Sequence, residues 1–350
     1  MKLPVARAAV PALLLLAGAC GQPLYVARLG WEEAKILWSR EPLAHLVARP
    51  DLDARLRERF SLVLSARAFA RDRLGFRVGE SYASYAEISA MDATVHVVSA
   101  AYRDRLEAWT WWYPIAGRVP YRGFFDPSAA QAAAARLARR DLDVDVRPAI
   151  AFSTLGWFPD PLLSTTAMEE PVPLITTVLH ELFHQTLYVP GEPAFNESAA
   201  TFAGERGAVA FFCDGPGADV ARCQQARDAW ADSRARGRIL GRLADKLRRL
   251  YAARPAPDVR ERARERLARL AAGALSRRRL DTTDVMPPNN ARLLGALLYV
   301  TRLEAFESLA PAGEDPGPPL RALVAAARGG GDPFQALIRL AAERGKLQRG

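Results

Sequence analysis

The chain has 350 residues, half of them apolar, with 48 Lys and Arg against 39 Asp and Glu, a formal charge of +9. That apolar share excludes an intrinsically disordered chain, and about 330 residues beyond a leader suffice for one large domain or two tightly joined ones. The excess charge is nearly all Arg, mixed with Glu and Asp at helical spacing as in 260–269, which reads as a solvated, ion-paired face and argues against a nucleic-acid partner.

The first element is a leader. Lys2 and Arg7 precede the apolar run Val10–Leu16, followed by Ala17-Gly18-Ala19 and Cys20. The run is too short to span a bilayer as an uncleaved helix, and its parts match a secretory signal over 1–19. Small residues ending in Cys20 resemble the lipobox of bacterial lipoproteins, which implies lipidation of Cys20 and a membrane contact through that anchor alone. Gly21 in place of Asp resembles the sorting class that implies the periplasmic face of the outer membrane of a Gram-negative bacterium. With Cys20 used, Cys213 and Cys223 remain, ten residues apart across Asp214-Gly215-Pro216-Gly217, and an exported chain can bridge them.

Beyond the leader, residues 20–75 read as helical. Two amphipathic helices are expected at 24–40 and 50–74, the second with Leu52, Leu56, Phe60, Val63 and Leu64 on one side. Residues 76–160 read as β-rich, with strands at Thr94–Ala100, Trp109–Tyr113 and 143–153, and a helix at 127–140. Residues 171–350 read as nearly all helix: 172–189, 196–211, 218–252, 257–276, 288–310, 318–328 and 332–345, with a Pro/Gly-rich loop near 310–319. The fold class expected is α+β, mostly helical, with a small mixed sheet before the helix at 172–189.

That helix carries His180-Glu181-Leu182-Phe183-His184, the H-E-x-x-H pattern, and two of the chain's four histidines. Residues four apart share a helix face, so both imidazoles can reach one metal ion, with Glu181 beside its open side as a base. A hydrolytic zinc site takes three protein ligands, and Glu197 in Asn196-Glu197-Ser198-Ala199-Ala200 is the best third, near the start of the next helix. Glu192 in the turn and Glu205 two helical turns deeper are rivals. The cofactor expected is therefore one Zn2+ per chain.

Hydrolysis also needs a donor for the oxyanion. Tyr188 lies four residues after His184, Tyr299 lies on the helix opened by Asn289-Asn290, and Tyr121 lies in a Gly/Pro-broken segment. An α-amine would need carboxylates near the metal, for which Glu169 and Glu170 are candidates with Asp160 behind them; Asn289 and Asn290 are further substrate-binding candidates. The segment Ala149–Thr154 is a possible sheet edge on which an extended peptide could lie.

H-E-x-x-H followed by N-E-x-x-A resembles the gluzincin metallopeptidases. It resembles more closely a bacterial family of predicted aminopeptidases, through Tyr121–Phe125, Ser153–Leu162, the segment around His180 and Pro288–Ala291 as well. The resemblance implies a zincin-like fold, His180, His184 and Glu197 as ligands, Glu181 as base, and a peptide substrate from which N-terminal residues are removed. It leaves the oligomeric state unknown. The alternative is a zinc-binding or catalytically inactive periplasmic lipoprotein that acts as a scaffold.

Overall fold

The computed structural model describes residues 38–88, 94–113, 117–124, 126–150, 159–311 and 313–347. In chain order these give β1 (Glu41–Pro42), α1 (Leu43–Ala48), α2 (Ala54–Phe69) with a π-helical turn at Ala70–Leu74, β2 (Ser84–Ala86), β3 (Thr94–Tyr102), β4 (Trp111–Tyr113), β5 (Gly117–Val119) and β6 (Tyr121–Phe124). Then come α3 (Pro127–Ala138), β7 (Leu142–Ile150), β8 (Leu162–Leu163), α4 (Ser164–Ala167), α5 (Pro171–Thr186), α6 (Pro193–Asp214), α7 (Val220–Ala252) and α8 (Pro257–Ser276). The chain closes with α9 (Asn290–Val300), α10 (Leu303–Leu309), α11 (Gly317–Arg328) and α12 (Pro333–Leu347). The architecture is α+β and mostly helical. The leader with Cys20, 24–37 of the first expected helix, 151–153 of the expected third strand and 151–154 of the possible sheet edge lie outside the described residues.

The helix starts follow local chemistry. Asp53, Asp126, Asp219 and Asn289 each accept a backbone N–H of the first turn they precede, which satisfies a donor the helix itself cannot. Prolines stand at the starts of α3, α5, α6 and α8, where a missing N–H costs nothing.

One core cluster runs from Leu43 in α1 to Leu337 in α12 and holds the helices together. At its centre, α5 buries Leu174, Ile175, Val178, Leu179, Leu182 and Phe183 at three- and four-residue spacing. At about 1.5–3 kcal/mol for each buried apolar side chain, this stripe fixes the rotation of α5. The opposite stripe, Thr176, Thr177, His180, Glu181 and His184, is left half-buried.

A satellite core lies under the main sheet, whose strand order is β6-β3-β7, antiparallel throughout. Leu142, Val144 and Val146 of β7 face Ala130, Ala134 and Leu137 of α3. By the period of two, Asp143, Asp145 and Arg147 face the other way, toward the helical body. There Asp143 pairs with buried Arg264 and accepts the Asn290 N–H at 2.7 Å, and Asp145 pairs with Arg292 at 3.1 Å. Helix α9 therefore lies along β7, and β7 is an edge strand of that sheet. Among the described residues no helix is long and apolar enough to cross a membrane.

Candidate metal centre

His180 and His184 stand one turn apart on the open stripe of α5, and Glu197 faces them from α6. The two Nε2 atoms are 3.1 Å apart, and Glu197 Oε2 lies 3.4 Å from His180 Nε2 and 3.6 Å from His184 Nε2. Ligands at about 2.0–2.1 Å in a tetrahedron around zinc stand about 3.3 Å from one another, so the triangle fits that ion without rearrangement. The three side chains are 15%, 23% and 27% exposed, which leaves one side of the triangle open to solvent. Among the described residues this is the one group of His, Cys, Asp and Glu gathered tightly enough to hold a metal.

The electrostatics favour a cation there. Burial alone would raise the Glu197 carboxyl, but hydrogen bonds from His180 and His184 outweigh it and hold the group at about 2. Burial likewise works against protonation of His184, and the hydrogen bond and charge of Glu197 overcome it and raise that imidazole. The carboxylate stays ionised in a half-buried place, which is costly unless a positive charge sits beside it.

Three consecutive residues of α6 assemble the site. The buried Asn196 side chain accepts the Val189 N–H and donates to the Val189 carbonyl, both at 2.8 Å. Glu197 faces the histidines. Ser198 Oγ donates to the Leu298 carbonyl at 2.7 Å and accepts the Thr301 N–H at 3.0 Å, fastening the end of α9. The helices can approach because Gly204 has no side chain: a Cβ there would lie 2.7 Å from the Thr176 carbonyl oxygen and 3.1 Å from His180 Cβ.

These contacts move several elements from their expected bounds. The helix expected to run to 189 ends at Thr186, because the double bond to Asn196 needs extended backbone at Val189. Tyr188 thereby leaves the helix face of the histidines and is 68% exposed. The next helix begins at Pro193, so Asn196 lies inside its first turn and Glu197 one residue further on. The helix expected at 288–310 is two, α9 and α10, with Arg302 left-handed at φ 57° between them, where Ser198 holds Thr301.

Of the expected oxyanion donors, Tyr299 is the one brought to the triangle, with its ring centroid 6.3 Å from that of His180. Burial raises its hydroxyl, the charges of Glu197 and Glu181 raise it further, and Arg147 draws it down. Tyr121 is exposed on β6, close enough for its charge to reach Tyr299. Asn289 and Asn290 are taken up by docking α9 to the sheet. Asn289 caps Arg292 and donates to the Val144 carbonyl, and Asn290 accepts from Tyr251 and donates to the Tyr102 carbonyl. They begin α9, nine residues before Tyr299 and so about 14 Å away along the axis.

The two acidic candidates separate. Glu170 pairs with Arg55 at 3.0 Å and Arg59 at 3.3 Å, a structural tie to α2. Glu169 is raised by burial, partly offset by a hydrogen bond with Thr177, which lies one turn before Glu181 on the same face. Glu192 sits at the cap of α6 outside the triangle, and Glu205 accepts from Ser233 Oγ of α7 at 2.7 Å, facing away from the metal ligands. Cys213 and Cys223 form a disulfide that joins the end of α6 to the first turn of α7.

Two neighbours have no signal in the sequence. Tyr82 is buried, left-handed at φ 56°, and donates its N–H to the Asp160 carbonyl at 2.7 Å. Burial raises its hydroxyl well above the usual value, and the charges of Glu181, Asp160 and Glu169 add to this. Arg147 reaches Gly295 of α9 from β7.

A family model described as "Putative aminopeptidase" matches residues 24–315. No curated protein and no solved structure matches the chain.

Proposed function

The chain belongs to that family, and on this premise we propose that it is a zinc-dependent peptidase that removes residues from the N-termini of peptides in the cell envelope. The observation that carries the reading is the triangle of His180, His184 and Glu197 at tetrahedral spacing, with Glu181 on the same helix and one side open. A zinc site that serves structure alone is closed by four protein ligands and needs no base.

Bound in the triangle, zinc supplies Lewis acidity toward a peptide carbonyl and makes water a stronger acid. Glu181 takes the proton of the attacking water on its carboxylate and passes it to the nitrogen of the leaving amine. Tyr299 keeps its proton at neutral pH, because burial and the nearby carboxylates raise it, and donates a hydrogen bond to the oxyanion. On the Glu181 side, Glu169 receives the substrate's α-amine. Burial raises its carboxyl, and an ammonium placed beside it would draw it back down. Support for the location is the leader sequence, from Lys2 to Cys20 at the end of a lipobox-like run of small residues.

The test is metal content and hydrolysis of the mature chain from Gly21 onward. About one zinc per chain is expected, and none in His184→Ala. Glu181→Gln should keep the metal while hydrolysis of short peptides falls by roughly 10²–10⁴. Absence of metal from all three proteins after zinc addition would remove the reading.

A further inference from the structure

The face of β7 that meets the helical body carries an ordered series of charges. Asp143 has Arg264 and the Asn290 N–H, and Asp145 has Arg292. The next residue on that face, Arg147, has no such partner. Opposite it α9 presents Gly295, and a Cβ there would stand 3.5 Å from an Arg147 guanidinium nitrogen. Among the described residues the Arg147 side chain makes no hydrogen bond and no ion pair, and the residue is exposed. A guanidinium without a partner among the described residues is a ready binder of a planar anion, which it grips with two parallel hydrogen bonds.

Its position relates it to the metal ligands. Gly295 and Tyr299 are one helical turn apart, about 6 Å along the axis, on one face of α9. The Tyr299 ring in turn lies 6.3 Å from that of His180. Arg147 therefore meets α9 one turn before Tyr299 on the same face, and its charge draws the Tyr299 hydroxyl down. An extended peptide advances about 3.3–3.6 Å per residue, so a carboxylate one or two residues past the scissile carbonyl lies about 3–7 Å further on, a reach comparable to the one-turn step from Tyr299 to Gly295.

We propose that Arg147 binds the free C-terminal carboxylate of the substrate, so that the site takes short peptides with one or two residues beyond the scissile bond. This rests on the peptidase reading above. Glu169 on the Glu181 side and Arg147 on the Tyr299 side then act as a ruler that matches the two charged ends of a di- or tripeptide. A longer chain would have to leave Arg147 desolvated without its carboxylate, which costs affinity.

The experiment compares dialanine and trialanine with their C-terminal amides. Zinc-loaded wild type is assayed for hydrolysis, and the zinc-loaded Glu181→Gln chain, alone and combined with Arg147→Ala, is titrated with each peptide by calorimetry. A free acid should bind about tenfold to a hundredfold more tightly than its amide, with the same ratio in KM. Arg147→Ala should bring both ratios to about one while retaining its zinc, and Arg147→Lys should restore part of the preference. Equal binding of acid and amide by the Glu181→Gln chain would overturn the assignment. So would an Arg147→Ala enzyme whose kcat falls equally for acid and amide, since that places the guanidinium at the oxyanion. If wild type hydrolyses neither peptide the peptidase reading fails, and the calorimetric ratio still decides the role of Arg147.

Discussion

Gly204→Ala is a one-carbon change that tests how the metal ligands are held. The added Cβ would stand 2.7 Å from the Thr176 carbonyl oxygen and 3.1 Å from His180 Cβ, and both belong to the central helix α5. Ordinary contact is reached only near 3.4 Å, so α6 would have to retreat by about 0.5 Å. Alanine gains roughly 1 kcal/mol of helix propensity over glycine, whereas forcing a methyl into a packed interface costs about 1–3 kcal/mol. Because one obstacle is a backbone carbonyl that cannot rotate aside, the steric cost should lie in the upper part of that range and win by up to about 2 kcal/mol. The greater effect should fall on the ligands, since the shift carries Glu197 away from His180 and His184, and zinc sites tolerate only about 0.2 Å. Zinc affinity, measured by competition with a chelator, should fall by about tenfold to a hundredfold, with a lower urea midpoint for the metal-free chain. Wild-type affinity in Gly204→Ala would refute the claim that this close helix approach sets the spacing of the triangle.

Two further predictions concern stability. Burial pushes the Glu205 carboxyl up to about 8 from 4.5, and the Ser233 hydroxyl only partly offsets it. The folded chain then keeps a proton that the unfolded chain releases, so stability is full below about pH 4.5 and is lost as pH rises toward 8, by at most about 5 kcal/mol. Glu205→Gln has no such proton to lose, and its urea midpoint should decline less between about pH 5 and 8; parallel curves for the two proteins would contradict this. The Cys213–Cys223 bridge closes a loop with a separation of ten residues. Replacing both with Ser should cost roughly 2.5–3 kcal/mol in urea unfolding, and an unchanged midpoint under oxidising conditions would show that the loop is constrained by other contacts.

What could be read from the sequence was what local periodicity determines. The spacing of His180 and His184, the apolar stripe behind them and the short turn to Glu197 all lie within one helical hairpin, and the helical character of 171–347 follows from composition and period. The misplacements arise where a distant side chain decides. Asn196 ends α5 early and takes Tyr188 off its face, while Ser198 breaks α9 from α10 and leaves Tyr299 beside His180. Asn289 and Asn290, read as candidates for substrate binding, instead meet Val144, Tyr251 and Tyr102, partners far away in the chain. Arg147 could not be singled out among so many arginines, because its distinction is that the residue across from it is a glycine.

The strand β7 and helix α9 lie far apart in the chain, on either side of the metal ligands, and are fastened to each other by Asp143 and Asn290. The order in which the polypeptide is made therefore separates two properties that a folded enzyme shows together. His180, His184, Glu197 and the proposed base Glu181 are all present once residue 197 has been added, but the wall bearing Tyr299 arrives about a hundred residues later. A chain cut anywhere between 198 and 289 carries the whole H-E-x-x-H and Glu197 set without the far side of the cleft. For anyone trimming the protein to a minimal fragment, retention of zinc would say nothing about whether a working enzyme remained.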